Sequence, residues 1–74
     1  MNEIPLRMLR AGESGQVCQL MGRADQVQRL QELGFVDGTI VEMIRAGAPC
    51  ILRLGERKLG FRATDLANVL VRTG

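Results

Sequence analysis

The sequence has no histidine, no tryptophan and no tyrosine, a single lysine, and only two cysteines. Without histidine, imidazole acid–base catalysis, Ser-His triads and imidazole metal sites are all excluded. The nine glycines match neither GxxxxGK[ST] nor GxGxxG, so the chain carries no nucleotide-binding loop of its own. No apolar run approaches the ~20 residues that a membrane-spanning helix needs, and no signal-peptide pattern opens the chain. Cys18 and Cys50 stand far apart and outside any CxxC spacing. Two thiolates without a third soft ligand make a poor zinc site, and cysteine in a strand usually behaves as a small hydrophobe. These absences point to a cytosolic protein with reduced thiols. Neither catalysis nor a cofactor is expected.

What remains is an aliphatic chain. It has 74 residues, 46 % of them hydrophobic, and its two aromatics are Phe35 and Phe61. That is one small domain, with a core built from Leu, Ile, Val and Met, and it buries only ~60 % of its unfolded surface. Ten basic and eight acidic residues give a net charge of +2. The arginines are spread along the chain and interleaved with acids, whereas a nucleic-acid footprint would cluster them on one face.

The most informative stretch is Val27–Gly38, VQRLQELGFVDG. Asp25 reads as an N-cap, with Gln28 three residues on as in a capping box. Val27, Leu30 and Leu33 step by three and cover one helix face, while Arg29 and Glu32 point outward. Gly34 follows as a left-handed stop. Phe35 and Val36 then fold back onto the apolar face, and Asp37-Gly38 turns the chain into a strand. Around this helix the pattern predicts five strands: Gln16–Met21, Thr39–Arg45, Cys50–Leu54, Arg57–Arg62 and Asn68–Arg72. Val17 and Leu20 are three apart, which calls for a bulge in the first strand. Gly55-Glu56 reads as a type II′ hairpin turn, and Thr64–Ala67 as a single helical turn capped by Thr64. Met1–Glu3 reads as a loose end, with Ile4–Leu6 and Met8-Leu9 lying across an open edge. The expected architecture is mainly β: a small, partly open five-stranded barrel with one short helix between its first and second strands.

Gly15-x-Val17, Arg29-Leu30-x-x-Leu33-Gly34-Phe35-x-x-Gly38, the Arg45…Pro49 turn and the Leu59-x-Phe61-Arg62-x-x-Asp65-Leu66-Ala67 ending resemble the FeoA family. The resemblance covers about residues 6–72 of a single 1–74 domain. It implies a Src-homology-3-like β-barrel and an association with the ferrous-iron transporter FeoB. The Ala46–Pro49 loop is shorter than the family's usual one, which reduces any contact surface there.

The resemblance, joined to the lack of catalytic motifs, implies a cytoplasmic regulatory module that binds the GTPase part of an FeoB-type transporter and meets the membrane only through it. The candidate contact residues are Arg29, Glu32, Leu33, Gly34, Phe35, Val36 and Gly38. Two other classes stand beside this one. A nucleic-acid-binding barrel is suggested by the arginines, although no nucleic acid is the favoured expectation. A transition-metal-responsive module would use Cys18 and Cys50 as ligands. Weak self-association through an open barrel edge is a further expectation.

Overall fold

A computed structural model describes residues 2–73. Six antiparallel strands form one unclosed sheet: β1 (Asn2–Pro5), β2 (Ser14–Leu20), β3 (Ile40–Arg45), β4 (Cys50–Leu54), β5 (Arg57–Phe61) and β6 (Val69–Thr73), in the order β1-β6-β2-β3-β4-β5. The ten-residue helix α1 (Ala24–Leu33) joins β2 to β3, and a single turn, α2 (Ala63–Leu66), joins β5 to β6. The mainly β class and the place of the helix are as the sequence predicts, and the five expected strands are present within a residue or two of their predicted ends.

The sixth strand was not legible. Asn2 and Glu3, read as part of a loose end, pair with Thr73 and Arg72; Met1 lies outside the described residues. Glu3 also accepts from Arg72 at 3.1 Å, a long-range tie with no local signature. The 3-10 turn Leu6–Met8 follows β1. Leu6 and Leu9 are fully buried, while Met8 is 58 % exposed. The lead-in therefore joins the core through Leu6 and Leu9, with half-buried Ile4 packed against it.

Leu6, Val17, Phe35, Val41, Met43, Leu52, Leu66, Val69 and Val71 form the driest part of the core. Period-two alternation places Val41 and Met43, then Cys50, Leu52 and Leu54, on one sheet face. The predicted bulge is present: β2 pairs with β6 through Val17↔Val71 and then Gln19↔Leu70, so Cys18 is the extra residue. The β4–β5 turn is type II′, since Gly55 has φ +63° and Glu56 has no positive φ.

The helix starts earlier than predicted. Arg23 is the N-cap, and Gln26, rather than Gln28, reaches back to accept the Arg23 N–H at 3.1 Å. Asp25 sits inside the first turn, where its charge suits the helix dipole. A parallel correction applies to α2, whose N-cap is Arg62 rather than Thr64, with Asp65 accepting the Arg62 N–H at 3.2 Å. In both cases local propensity favoured a short polar side chain at the cap, and the box partner three residues later won.

The C-terminus of α1 is a Schellman motif. Gly34 has φ +114°, its N–H donates to Gln31, and the Phe35 N–H donates to Leu30, each at 3.0 Å. Arg57 Nη2 donates to the Leu33 carbonyl at 2.9 Å, so the β4–β5 hairpin holds a further C-terminal carbonyl. A Cβ on Gly34 would meet nothing closer than 3.6 Å, so the obstacle to a side chain is the left-handed backbone and not space. Gly34→Ala is expected to destabilise the domain by roughly 1–2 kcal/mol, read from the shift in a urea midpoint at unchanged slope.

Candidate functional site

Between α1 and the β5–α2 corner runs a groove of about 390 Å³. Its floor is apolar, from Leu30, Leu33 and Phe61; its rim is polar, from Gln26, Arg29, Thr64, Asp65 and Asn68. The helix supplies one wall because Gln26, Arg29, Leu30 and Leu33 recur every three or four residues. Phe61, the last residue of β5, extends the floor on the opposite side, and Arg62, the N-cap of α2, follows it. The Asp65 carboxylate is partly occupied by the Arg62 N–H, whereas Arg29 has no ion-pair partner among the described residues. An apolar trough beside an uncompensated guanidinium suits an amphipathic segment carrying an apolar side chain and a carboxylate.

The structure divides the predicted contact residues. Arg29 and Leu33 line the groove, and Glu32 is exposed on the helix. Gly34 is the helix stop, and Gly38 is exposed with its N–H on the Val17 carbonyl. Val36 is 45 % exposed and lies outside the groove, as does Ile40 at 58 %. Phe35 is a correction: it has no exposed surface and stacks edge-on against Phe61, with ring centroids 5.3 Å apart. A ring so enclosed serves the core and is out of a partner's reach. The rim residues Thr64, Asp65 and Asn68 were missed, because nothing local announces that the second wall comes from the far end of the chain.

Cys18 and Cys50 do not meet. They lie on β2 and β4, with β3 between, and donate to the carbonyls of Leu70 (3.4 Å) and Phe61 (3.5 Å). Burial pushes both thiols above their ordinary value, and Glu3 adds to the effect at Cys18. No group of three potential metal-ligating His, Cys, Asp or Glu side chains gathers among the described residues. Phe35 has no exposed surface, so it is not available to stack on a base. No described helix is long and apolar enough to cross a membrane.

A thiol whose pKa rises on folding stabilises the native state below its ordinary value, near 9.0, and that stability is lost as pH climbs through the folded value. The unfolding midpoint is therefore expected to fall as the pH rises past 9.0, less steeply in Cys50→Ala. A disulfide reagent should modify half-buried Cys18 in the native protein, but Cys50 only as fast as the domain opens. Denaturant midpoints on either side of that pH and a thiol-labelling time course check both expectations.

Comparison with known proteins fits this geometry. The FeoA domain family model matches residues 4–73. The crystal structure of an iron uptake regulatory protein (FeoA) superposes with a TM-score of 0.90, at 22 % identity and covering 97 % of each chain. Stenotrophomonas maltophilia FeoA, solved with zinc, superposes with a TM-score of 0.83 at 28 % identity, covering 92 % of this chain and 88 % of that one. That protein is described as a prokaryotic Src-homology-3 domain protein and a candidate ferrous iron transport activating factor. The fold also recurs as part of a longer chain: T. acidophilum IdeR matches with a TM-score of 0.87 at 9 % identity, over 100 % of this chain and 35 % of that one. Among curated proteins none matches. With the family model covering nearly the whole chain, this protein belongs to the FeoA domain family.

Proposed function

We propose that this chain is a non-catalytic, cytoplasmic accessory protein of ferrous iron transport that binds the GTPase part of an FeoB-type transporter through the α1–α2 groove. The observation that carries the reading is the groove's composition: an apolar floor of Leu30, Leu33 and Phe61 beside the uncompensated Arg29. Family membership supplies the iron-transport context. The groove holds and orients a segment; it has no nucleophile–base pair with which to transform one. Regulation then follows from the partner's nucleotide state, since a ligand acts only through different affinities for two states.

Calorimetric titration of the purified GTPase part, in its GDP-bound and GTP-analogue-bound forms, tests this. The expected result is one-to-one binding that differs between the two forms and weakens about tenfold in Arg29→Glu, in line with truncation of one interfacial charge pair. No binding in either nucleotide state overturns the reading.

A further inference from the structure

The sheet is open, and its two edges are unlike. β1 is four residues long, ends on Pro5, which lacks an N–H, and ties Glu3 to Arg72. Those features blunt an edge. β5 is blunted far less. Leu54↔Arg57 closes a two-residue hairpin, so Arg57, Leu59 and Phe61 turn their backbone groups toward β4. The Cys50 thiol reaching the Phe61 carbonyl fits that alternation. The N–H and C=O of Lys58 and Gly60 then point away from the sheet, and no other strand pairs with that side.

The outer face adjoining this edge carries a charge pattern that stops short. Register places Glu42 opposite Arg53, and Arg53 opposite Lys58. Arg53 pairs with Glu42 at 3.6 Å, which leaves two cations side by side and Lys58 without an acid among the described residues. Two residues on, on the same face, Gly60 is exposed, and a Cβ there would meet nothing closer than 3.9 Å. Its neighbour across the ladder, Ile51, is half-buried. A glycine at a strand edge leaves room for a close backbone and for a large side chain from the next strand.

We propose that the outer edge of β5 takes an extended acidic segment of another protein as a seventh, antiparallel strand. A carboxylate beside Lys58 continues the ladder, and a large apolar side chain lies over Gly60 and Ile51. The antiparallel sense fixes the order in the partner: the apolar residue comes first and the acid two residues later. A second copy's β5 would bring two cationic edges together, so the charge argues for a different, acidic chain. This surface is separate from the groove and does not depend on the identity of the groove's partner.

The test uses the full chain, isotope-labelled, and a synthetic ten-residue peptide of alternating threonine and valine with Phe-Thr-Glu at its centre. Binding is expected to slow amide exchange at Lys58 and Gly60. Methylating the peptide's Phe and Glu backbone nitrogens should weaken binding at least tenfold, because those two N–H groups face the edge carbonyls. Lys58→Glu should weaken it several-fold, and a peptide with lysine in place of glutamate should restore the loss. Equal affinity of the methylated peptide, shifts confined to the α1–α2 groove, or no rescue by the charge swap overturns the proposal. So does slowed exchange at Lys58 and Gly60 that grows with protein concentration alone, which would assign the edge to self-pairing.

Discussion

Phe35→Ala is expected to remove most of the domain's stability. The ring has no exposed surface and meets Phe61 at an interplanar angle of 63°. Truncating a buried phenylalanine costs about 3–5 kcal/mol, to which the lost edge-to-face pair contributes roughly 0.5–1.5 kcal/mol. A domain of this length holds on the order of 4–11 kcal/mol in all, at about 0.05–0.15 per residue. The variant should therefore unfold with a midpoint lowered by more than ~15 °C, or lose its cooperative transition. Phe35→Leu keeps most of the volume and should cost about 2 kcal/mol or less. One residue on, Val36→Ala should stay within about 0.5 kcal/mol, because that side chain is 45 % exposed. Circular-dichroism melts of the three variants check the ordering. Equal effects at positions 35 and 36 would contradict the placement of the ring in the core.

Gly15→Ala is expected to be the most damaging single added methyl group. A Cβ at Gly15 would lie 2.7 Å from Cγ2 and 2.8 Å from Cβ of Val71. Neither atom can withdraw easily: Val71 is fully buried, and β6 is held between β1 and β2. Overpacking of this kind costs about 1–3 kcal/mol, and here the ladder must also separate. That corresponds to roughly 4–8 °C for each kcal/mol in a domain of this size. Gly60→Ala provides the contrast, since the added methyl group meets only the Cys50 carbonyl oxygen, at 3.9 Å, and should leave the melt nearly unchanged. Val71→Ala in the Gly15→Ala background should recover part of the loss, because Cγ2 is removed while Cβ stays. Positive coupling in that double-mutant cycle identifies the contact; simple additivity would deny it.

Much of this architecture was written locally. The β-branched run before Arg45 made a strand, the Val17–Leu20 spacing called for a bulge, and Gly34 after the last apolar position stopped a helix. Each of these signals acts over a few residues, and each is present in the fold. The misreadings share a cause. β1 exists because β6 accepts it 65 to 71 residues later in sequence, and no local pattern carries that pairing. Gly15 falls just outside the predicted first strand, yet it lies in β2 and is needed because Val71 packs against it.

The groove was half legible for the same reason. Arg29 and Leu33 belong to a helix that can be read from its periodicity. Phe61, Thr64, Asp65 and Asn68 reach it only through the sheet order. Phe35 was the ambiguous residue, with a core role and a contact role both consistent with its neighbours. Its burial decides for the core, and so moves the candidate contact surface from the helix exit to the helix flank.

Chemical-shift mapping of the labelled chain against the cytoplasmic GTPase part of the transporter, repeated in both nucleotide states, tests that surface most directly. The account predicts perturbed amides at 26–33 and 61–68, diminished together in Arg29→Glu. No perturbation in either state, or perturbation confined to residues outside those two segments, would contradict it.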